Sequence, residues 1–222
     1  MQHAAAMAFV RDHTAPTPVP LTPEITLYLA REMTPLWQAT QRTLTAWETS
    51  PFWAFPWVGG QAVARYVLDH PELVRNRRVL DFGAGSGLVA IAAAKAGAAS
   101  VTACDIDPLF SAVLELNAGL NGVEIAAWTR DVLGQQVSGF DVVLAGDIFY
   151  EKPLAESAWR WFGALAAAGA LVLVGDPGRL YSPAAPGLLT CASYLVPTTT
   201  EIESAPERRT LVQRVPPVEA AL

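Results

Sequence analysis

The stretch Arg78–Asp107, RVLDFGAGSGLVAIAAAKAGAASVTACDID, constrains the fold of this chain more than any other. Val79 and Leu80 read as a short apolar strand ending in Asp81, and Gly83, Gly85 and Gly87 follow at alternate positions. A run rich in Ala, Leu and Ile then reads as a helix to Lys95. Gly97 stops it, and a second apolar strand, Val101–Cys104, ends in Asp105. Glycines at the turn remove Cβ atoms, so the backbone can bend sharply and approach a ligand closely. The helix behind them leaves unpaired N–H groups pointing into the same space.

The rest of the chain repeats the pattern. Pro108 opens a helix over Leu109–Leu120 that Asn121-Gly122 ends. Val123–Trp128 is a third strand, Phe140–Gly146 an almost wholly apolar fourth, Pro153–Ala168 a helix and Ala170–Val174 a fifth strand. Tyr194–Thr200 and Arg208–Val215 alternate apolar and polar residues, as an antiparallel pair at a sheet edge does. This order predicts an α/β fold: a Rossmann-like, doubly wound, seven-stranded sheet, mostly parallel, with antiparallel pairing at its C-terminal end and an N-terminal helical extension. Three segments follow. Residues 1–20, with Pro16, Pro18 and Pro20, are expected to be a disordered or extended leader. Residues 21–70 are expected to hold helices and an aromatic loop, with Thr22 as N-cap and Ile25, Leu29, Met33, Leu36 and Trp37 on one helical face. Residues 71–222 form the core, and the whole is one domain.

Composition narrows the partners. The 222 residues are 52% hydrophobic and carry a formal charge of −6. That acidic balance disfavours a nucleic-acid partner, which usually needs a basic face. Two cysteines make no disulfide framework and suit a reducing, cytoplasmic setting. Three scattered histidines show no metal-ligand spacing, and no uncharged run reaches the length of a membrane span. A monomer is expected.

A dinucleotide fingerprint, G-x-G-x-x-G, places its glycines around a pyrophosphate. Here the pattern is D-x-G-x-G-x-G. Asp81 would repel a phosphate but suits the ammonium of an amino acid, and an acid about 20 residues beyond the glycines suits a ribose. A ligand with both groups is S-adenosylmethionine, leaving S-adenosylhomocysteine as product. In this reading Asp81 and the backbone of Gly83, Ala84, Gly85, Ser86 and Gly87 hold the methionine part. Asp105 holds the ribose, Ile106 packs on the adenine, and Asp131 with the Val132 N–H meets the adenine amine. Ala145 and Gly146 close the cofactor side of the fourth strand. Asp81, Asp105, Asp131, Asp147 and Asp176 all fall at strand carboxyl ends, where ligands bind in such sheets. Asp147 is placed to orient an incoming amine, Phe149 and Tyr150 to wall it, and Asp176 to stand on the substrate side. The aromatic stretch TSPFWAFPWVGG, Thr49–Gly60, reads equally as a hydrophobic plug and as a wall beside the ligand.

These motifs resemble class I methyltransferases of family sixteen, and within it the electron transfer flavoprotein β-subunit lysine methyltransferases, bacterial members included. The resemblance covers Leu21–Arg214. It rests on Leu21–Ile25, Phe52–Ala54, Trp57–Ala62, Val79–Gly87, Asp105–Pro108, Gly146–Tyr150 and Gly175–Arg179. It implies that Asp147 and Tyr150 serve lysine binding and activity and that Trp57 lies near the cofactor. It also implies lysine Nε-methylation of the flavoprotein β subunit, with a ribosomal stalk protein as a further target. Val58 stands where relatives commonly carry proline. Two alternatives stay open: methylation of a small molecule or of nucleic-acid amino groups, and a non-catalytic binding module of the same fold. Base amino-methylases usually carry Asn/Asp-Pro-Pro-Tyr after the fourth strand, and Asp147-Ile148-Phe149-Tyr150 stands here instead.

Overall fold

A computed structural model describes residues 2–30, 32, 35–38, 40, 50–183 and 187–217. In chain order its elements are α1 (His3–His13), β1 (Ala15–Val19), β2 (Thr22–Leu29), α2 (Val58–Asp69), β3 (Arg78–Phe82), α3 (Leu88–Lys95), β4 (Ser100–Cys104), α4 (Phe110–Asn121) and β5 (Ala126–Trp128). There follow β6 (Val142–Gly146), α5 (Lys152–Ala167), β7 (Leu171–Asp176), β8 (Leu189–Pro197), α6 (Thr200–Glu203) and β9 (Glu207–Arg214). The main sheet has the order β5-β4-β3-β6-β7-β9-β8. β5, β4, β3, β6 and β7 run parallel, and β9 pairs antiparallel with both β7 and β8. The expected doubly wound sheet is therefore present. Strand order reverses between β3 and β6, which places a crevice at their carboxyl ends.

Apolar character explains which strands lie at the centre. Val142 to Ala145 of β6 are all buried, because helices cover both faces of a parallel sheet. On one face Val58, Val63 and Val67 of α2 and Val89, Ala90 and Ala93 of α3 pack on Val79, Leu144 and Leu173. On the other, Trp161 and Phe162 of α5 pack on Leu80, Phe82 and Val143. No described helix is long and apolar enough to cross a membrane.

The first 30 residues depart from expectation. Residues 2–20, expected as a disordered or extended leader, hold the helix α1 and the extended strand β1. Ala6, Phe9 and Val10 of α1 pack against Leu109, Ala112 and Val113 at the N-terminal end of α4. Residues 22–29 are not helical. They form β2, antiparallel to β1, with Ile25, Leu27 and Leu29 buried. Alternate burial is the strand period, and Ile25–Leu29 satisfies an i, i+4 count as well as an i, i+2, i+4 count. Pro16 and Pro18 fit β1 because its outer edge needs no donors. Met33 lies outside the described residues.

Candidate active site

The β3–α3 turn builds one half of the crevice. Gly83, Gly85 and Gly87 all have positive φ, at 64°, 51° and 80°. A side chain at Gly87 would also strike Leu114 Cδ1, at 2.6 Å. Ala84 N–H donates to the Cys104 carbonyl at 3.0 Å, which ties the loop to β4. Asp105 Oδ2 accepts the Gly85 N–H at 2.8 Å and Oδ1 accepts the Asp107 N–H at 2.9 Å. Beside it Ile106 is 70% exposed, an apolar platform at a strand end. Asn117 of α4 is fully buried and spans the loop and the N-terminal sheet. Its Nδ2 donates to the Ser86 carbonyl at 2.8 Å and its Oδ1 accepts the Tyr28 N–H at 2.8 Å. In the sequence a single asparagine within an apolar helical run carries no sign of this double tie.

Three cofactor-side expectations are corrected. The Asp81 carboxylate does not open onto the crevice: it is 1% exposed and accepts the Ala90 N–H at 2.9 Å, capping α3 from below. Burial, only partly offset by that bond, pushes its pKa up to about 8. Ala145 lies wholly within the α5-side core. Gly146 is an element of close packing, since a Cβ there would fall 2.6 Å from Gly60 Cα. Asp131 is exposed on the loop after β5, where Oδ1 accepts the Leu133 N–H at 2.8 Å. The Val132 side chain is buried.

The carboxyl ends of β6 and β7 build the other half. Asp147 has φ 56°, the left-handed region, and its N–H donates to the Gly175 carbonyl at 2.9 Å. Its Oδ2 accepts the Gly59 N–H in the first turn of α2. Its Oδ1 accepts Arg179 Nε at 2.9 Å and Nη2 at 2.6 Å. The same guanidinium reaches Glu203 of α6 through Nη1 at 3.1 Å and through Nη2. The expectation of a free Asp147 carboxylate receiving an ammonium is thus corrected: both oxygens are engaged, as a nearly buried charge requires. Burial lifts its pKa to about 6 against the opposing pull of Arg179.

Two further substrate-side residues are also corrected. Phe149 is 1% exposed and belongs to the core, because α5 folds back over it. Asp176 is 3% exposed and organises its own loop, accepting the Gly178 N–H at 3.0 Å, the Arg179 N–H at 3.3 Å and the Ser182 hydroxyl. Tyr150 does reach the surface, at 47% exposed. It meets Phe52 edge-on at 5.8 Å, and Phe52 meets Trp57 edge-on at 5.5 Å. Trp57 Nε1 donates to the Phe52 carbonyl at 2.8 Å. The two readings of the aromatic stretch divide between its residues. Trp53 and Phe55 are buried as a plug, while Phe52 and Trp57 line the mouth.

The glycine cradle, the Asp105 carboxylate and the Ile106 platform fit an amino-acid nucleoside with a ribose between its two ends. Comparison with known proteins places this arrangement in a family. Residues 65–173 match the family model described as ribosomal protein L11 methyltransferase (PrmA). The chain is 42% identical over 162 residues to the electron transfer flavoprotein beta subunit lysine methyltransferase of Rattus norvegicus, covering 72% of this chain and 62% of that protein. It therefore spans a little under two thirds of the rat relative's length. With the protein of the same name from Xenopus laevis it shares 38% identity over 174 residues, covering 78% of this chain and 70% of the relative. The crystal structure of magnesium protoporphyrin IX methyltransferase from Synechocystis PCC 6803 with bound SAM has a TM-score of 0.51 at 22% identity. It covers 70% of this chain and 77% of that one, and it shares the fold. By its fold, and by its identity over most of its length, the chain belongs to the class I methyltransferase family of the electron transfer flavoprotein beta subunit lysine methyltransferases.

Proposed function

We propose that this chain transfers a methyl group from S-adenosylmethionine to the Nε of a lysine in a protein, with the electron transfer flavoprotein β subunit as substrate. The observation that carries the reading is the meeting of two motifs at one mouth. The Phe52–Tyr150 contact at 5.8 Å joins the Phe52–Ala54 stretch to the Asp147–Tyr150 corner. Both adjoin the glycine cradle, where a Cβ at Gly85 would meet Trp53 Cα at 3.8 Å and one at Gly83 would meet Ile148 Cδ1 at 2.7 Å. The rat and frog relatives, 42% and 38% identical to this chain, are named for that substrate.

When bound, the donor supplies an electrophilic methyl group on a positively charged sulfonium. The backbone of Gly83–Gly87 cradles its amino-acid end. Asp105 holds the ribose hydroxyls with the lone pairs left over from Gly85 and Asp107, and Ile106 underlies the base. Asp131 offers its second oxygen to the exocyclic amine. On the other side a lysine enters as an ammonium and must arrive as a neutral amine in line with the methyl group. Asp147 and Glu203 together outnumber Arg179 by one negative charge, and that field draws the ammonium in without a direct bond. Phe52, Trp57 and Tyr150 form the wall of the approach. They exclude water, attract the cation through their ring faces and favour its neutral form once it is enclosed. The proton leaves to solvent at the mouth.

The test is incubation of the purified chain with isotope-labelled S-adenosylmethionine and purified electron transfer flavoprotein, followed by mass spectrometry of the β subunit. Ribosomal protein L11 and total RNA serve as parallel substrates. Labelled lysine in the β subunit supports the reading. Label confined to L11 would redirect the substrate, and label confined to RNA or small molecules would refute lysine methylation.

A further inference from the structure

We infer that Arg179 is a positioning residue of this site: its guanidinium, anchored by Glu203, clamps the Asp147 carboxylate against the N-terminus of α2 and so fixes the rim corner and Trp57 relative to an incoming amine. The inference rests on the methyl-transfer reading above and extends it to a residue whose side chain is set back from the mouth.

Four segments meet at this clamp. Asp147 comes from the β6–α5 corner, Arg179 from the loop after β7, Glu203 from α6 and Gly59 from the first turn of α2. The charged side chains are enclosed, at 20% exposure for Arg179, 9% for Asp147 and 3% for Glu203. Arg179 takes Asp147 through two nitrogens and Glu203 through two contacts, a forked pattern that a lysine cannot reproduce. Its Cζ also lies 5.9 Å from the Trp57 ring centre, so one guanidinium touches both the acid corner and the aromatic wall. Asp176 sets the height of the loop by accepting the Arg179 N–H at 3.3 Å.

Stability alone is a poor reason for such a cluster. A buried ion network is often no more stabilising than an apolar one of the same volume. What the network does provide is location. The helix N-terminus holds one oxygen of Asp147, and without Arg179 the other would be free to seek water. The left-handed backbone of Asp147 and the contact of Gly59 with Gly175 leave little freedom elsewhere. The ionisable groups bearing on Asp147 are Arg179 and Glu203, with Asp176 one loop away. Arg179 favours the ionised acid, while Glu203 and burial oppose it. Removing the guanidinium therefore moves the titration of Asp147 upward.

The test compares Arg179→Met/Glu203→Gln, Arg179→Lys and Glu203→Gln with the unaltered chain. Each is assayed for lysine methylation of the flavoprotein β subunit, for S-adenosylmethionine affinity by calorimetry, and for kcat across pH 5–9. The double variant removes both charges together, so no unpaired acid is left at position 203. Its kcat is expected to fall about 100-fold with donor Kd within about twofold. The acidic limb of its kcat–pH profile is expected to move up by about one unit. Arg179→Lys, which keeps the charge but not the fork, returns the limb while kcat stays about 10-fold low. Glu203→Gln keeps Arg179 on Asp147 and carries the test should the double variant fail to fold, with kcat expected to drop several-fold at unchanged donor Kd. Unchanged kcat in the folded variants would overturn the inference. So would a loss of kcat in the double variant with an unmoved acidic limb, the mark of mere structural support. Failure of the unaltered chain to methylate any lysine, with donor still bound, would instead overturn the proposed function and this inference with it.

Discussion

Asp81 and Asp105 are held by backbone N–H groups lying 9 and 20 residues away along the chain, whereas Asp147 is held by a glycine 88 residues before it and a guanidinium 32 residues after it. The cofactor half of the crevice is thus a local construction, built from one strand–turn–helix unit and the strand beside it. The substrate half is a convergence of four distant segments. A local unit can be exchanged between proteins with little adjustment. A converging one depends on every segment arriving in register, and this is where the chain spends its tightest packing. The two halves should accordingly respond to mutation in different ways.

The largest contrast lies in the glycines of α2. A Cβ at Gly59 would fall on the Gly175 carbonyl and on Asp147 Oδ2, whereas one at neighbouring Gly60 meets only Val89 Cγ2 at 4.0 Å. Urea denaturation should show Gly59→Ala destabilised by about 3 kcal/mol or more. Gly60→Ala should be neutral or stabilised by about 0.5 kcal/mol, since alanine is the better helix former. Equal effects would break the picture of a packed convergence point.

Next in size is Asp105→Ala, which removes a charged acceptor on the cofactor side. Calorimetry should find the donor Kd weakened about 10- to 100-fold, the worth of hydrogen bonds to a charged group. An unaltered Kd would take the ribose away from Asp105.

The buried acids give a pH signature. Asp81 has a folded pKa of about 8, above its ordinary value of 3.8. Between those values the folded chain holds a proton that the unfolded chain lacks, so stability rises as pH falls. From pH 8 to pH 6 the unliganded protein should gain about 2 kcal/mol, seen as a rise of about 5 °C in Tm by calorimetry. Asp81→Asn should flatten that slope. A slope of the opposite sign, or one that survives the substitution, would show that Asp81 is ionised in the folded chain. Asp147, with a pKa of about 6, adds to the gain only at lower pH.

The smallest effect is at Ile106, 70% exposed and free of other duties. Ile106→Ala should weaken donor binding about threefold to tenfold, the value of part of one apolar side chain, without altering Tm. A change in Tm would mean that the side chain supports the fold instead.

The same difference decides how much was legible before any coordinates. The β3–α3 turn, the acid after β4 and the parallel order of the sheet follow from spacing within about 30 residues, where glycine conformation and apolar runs speak directly. All five acids do sit at strand carboxyl ends. What spacing cannot say is which way a carboxylate turns. Asp81 and Asp176 point into backbone N–H groups rather than the crevice, and Asp147 is already paired. Nothing local marked Arg179 and Glu203 as partners of Asp147, although Arg179 closes one of the stretches that carry the resemblance. An arginine in a Gly-Arg loop and a glutamate in a short acidic run look like surface charges until the chain folds. Residues 22–29 misled for another reason: Ile25 and Leu29 satisfy both periods, and only Leu27 between them marks the strand.

The measurement that bears most directly on the account is a paired one on Asp147→Ala, a substitution that leaves Arg179 still matched by Glu203. Donor affinity by calorimetry and lysine methylation of the flavoprotein β subunit are read on the same preparation. The account predicts a donor Kd within about twofold of the parent and at least a hundredfold loss of methylation, of the order that misplacing a reacting group costs. Methylation at the parent rate, or a collapse of donor binding to match the lost activity, would contradict a crevice whose two halves are built and used separately.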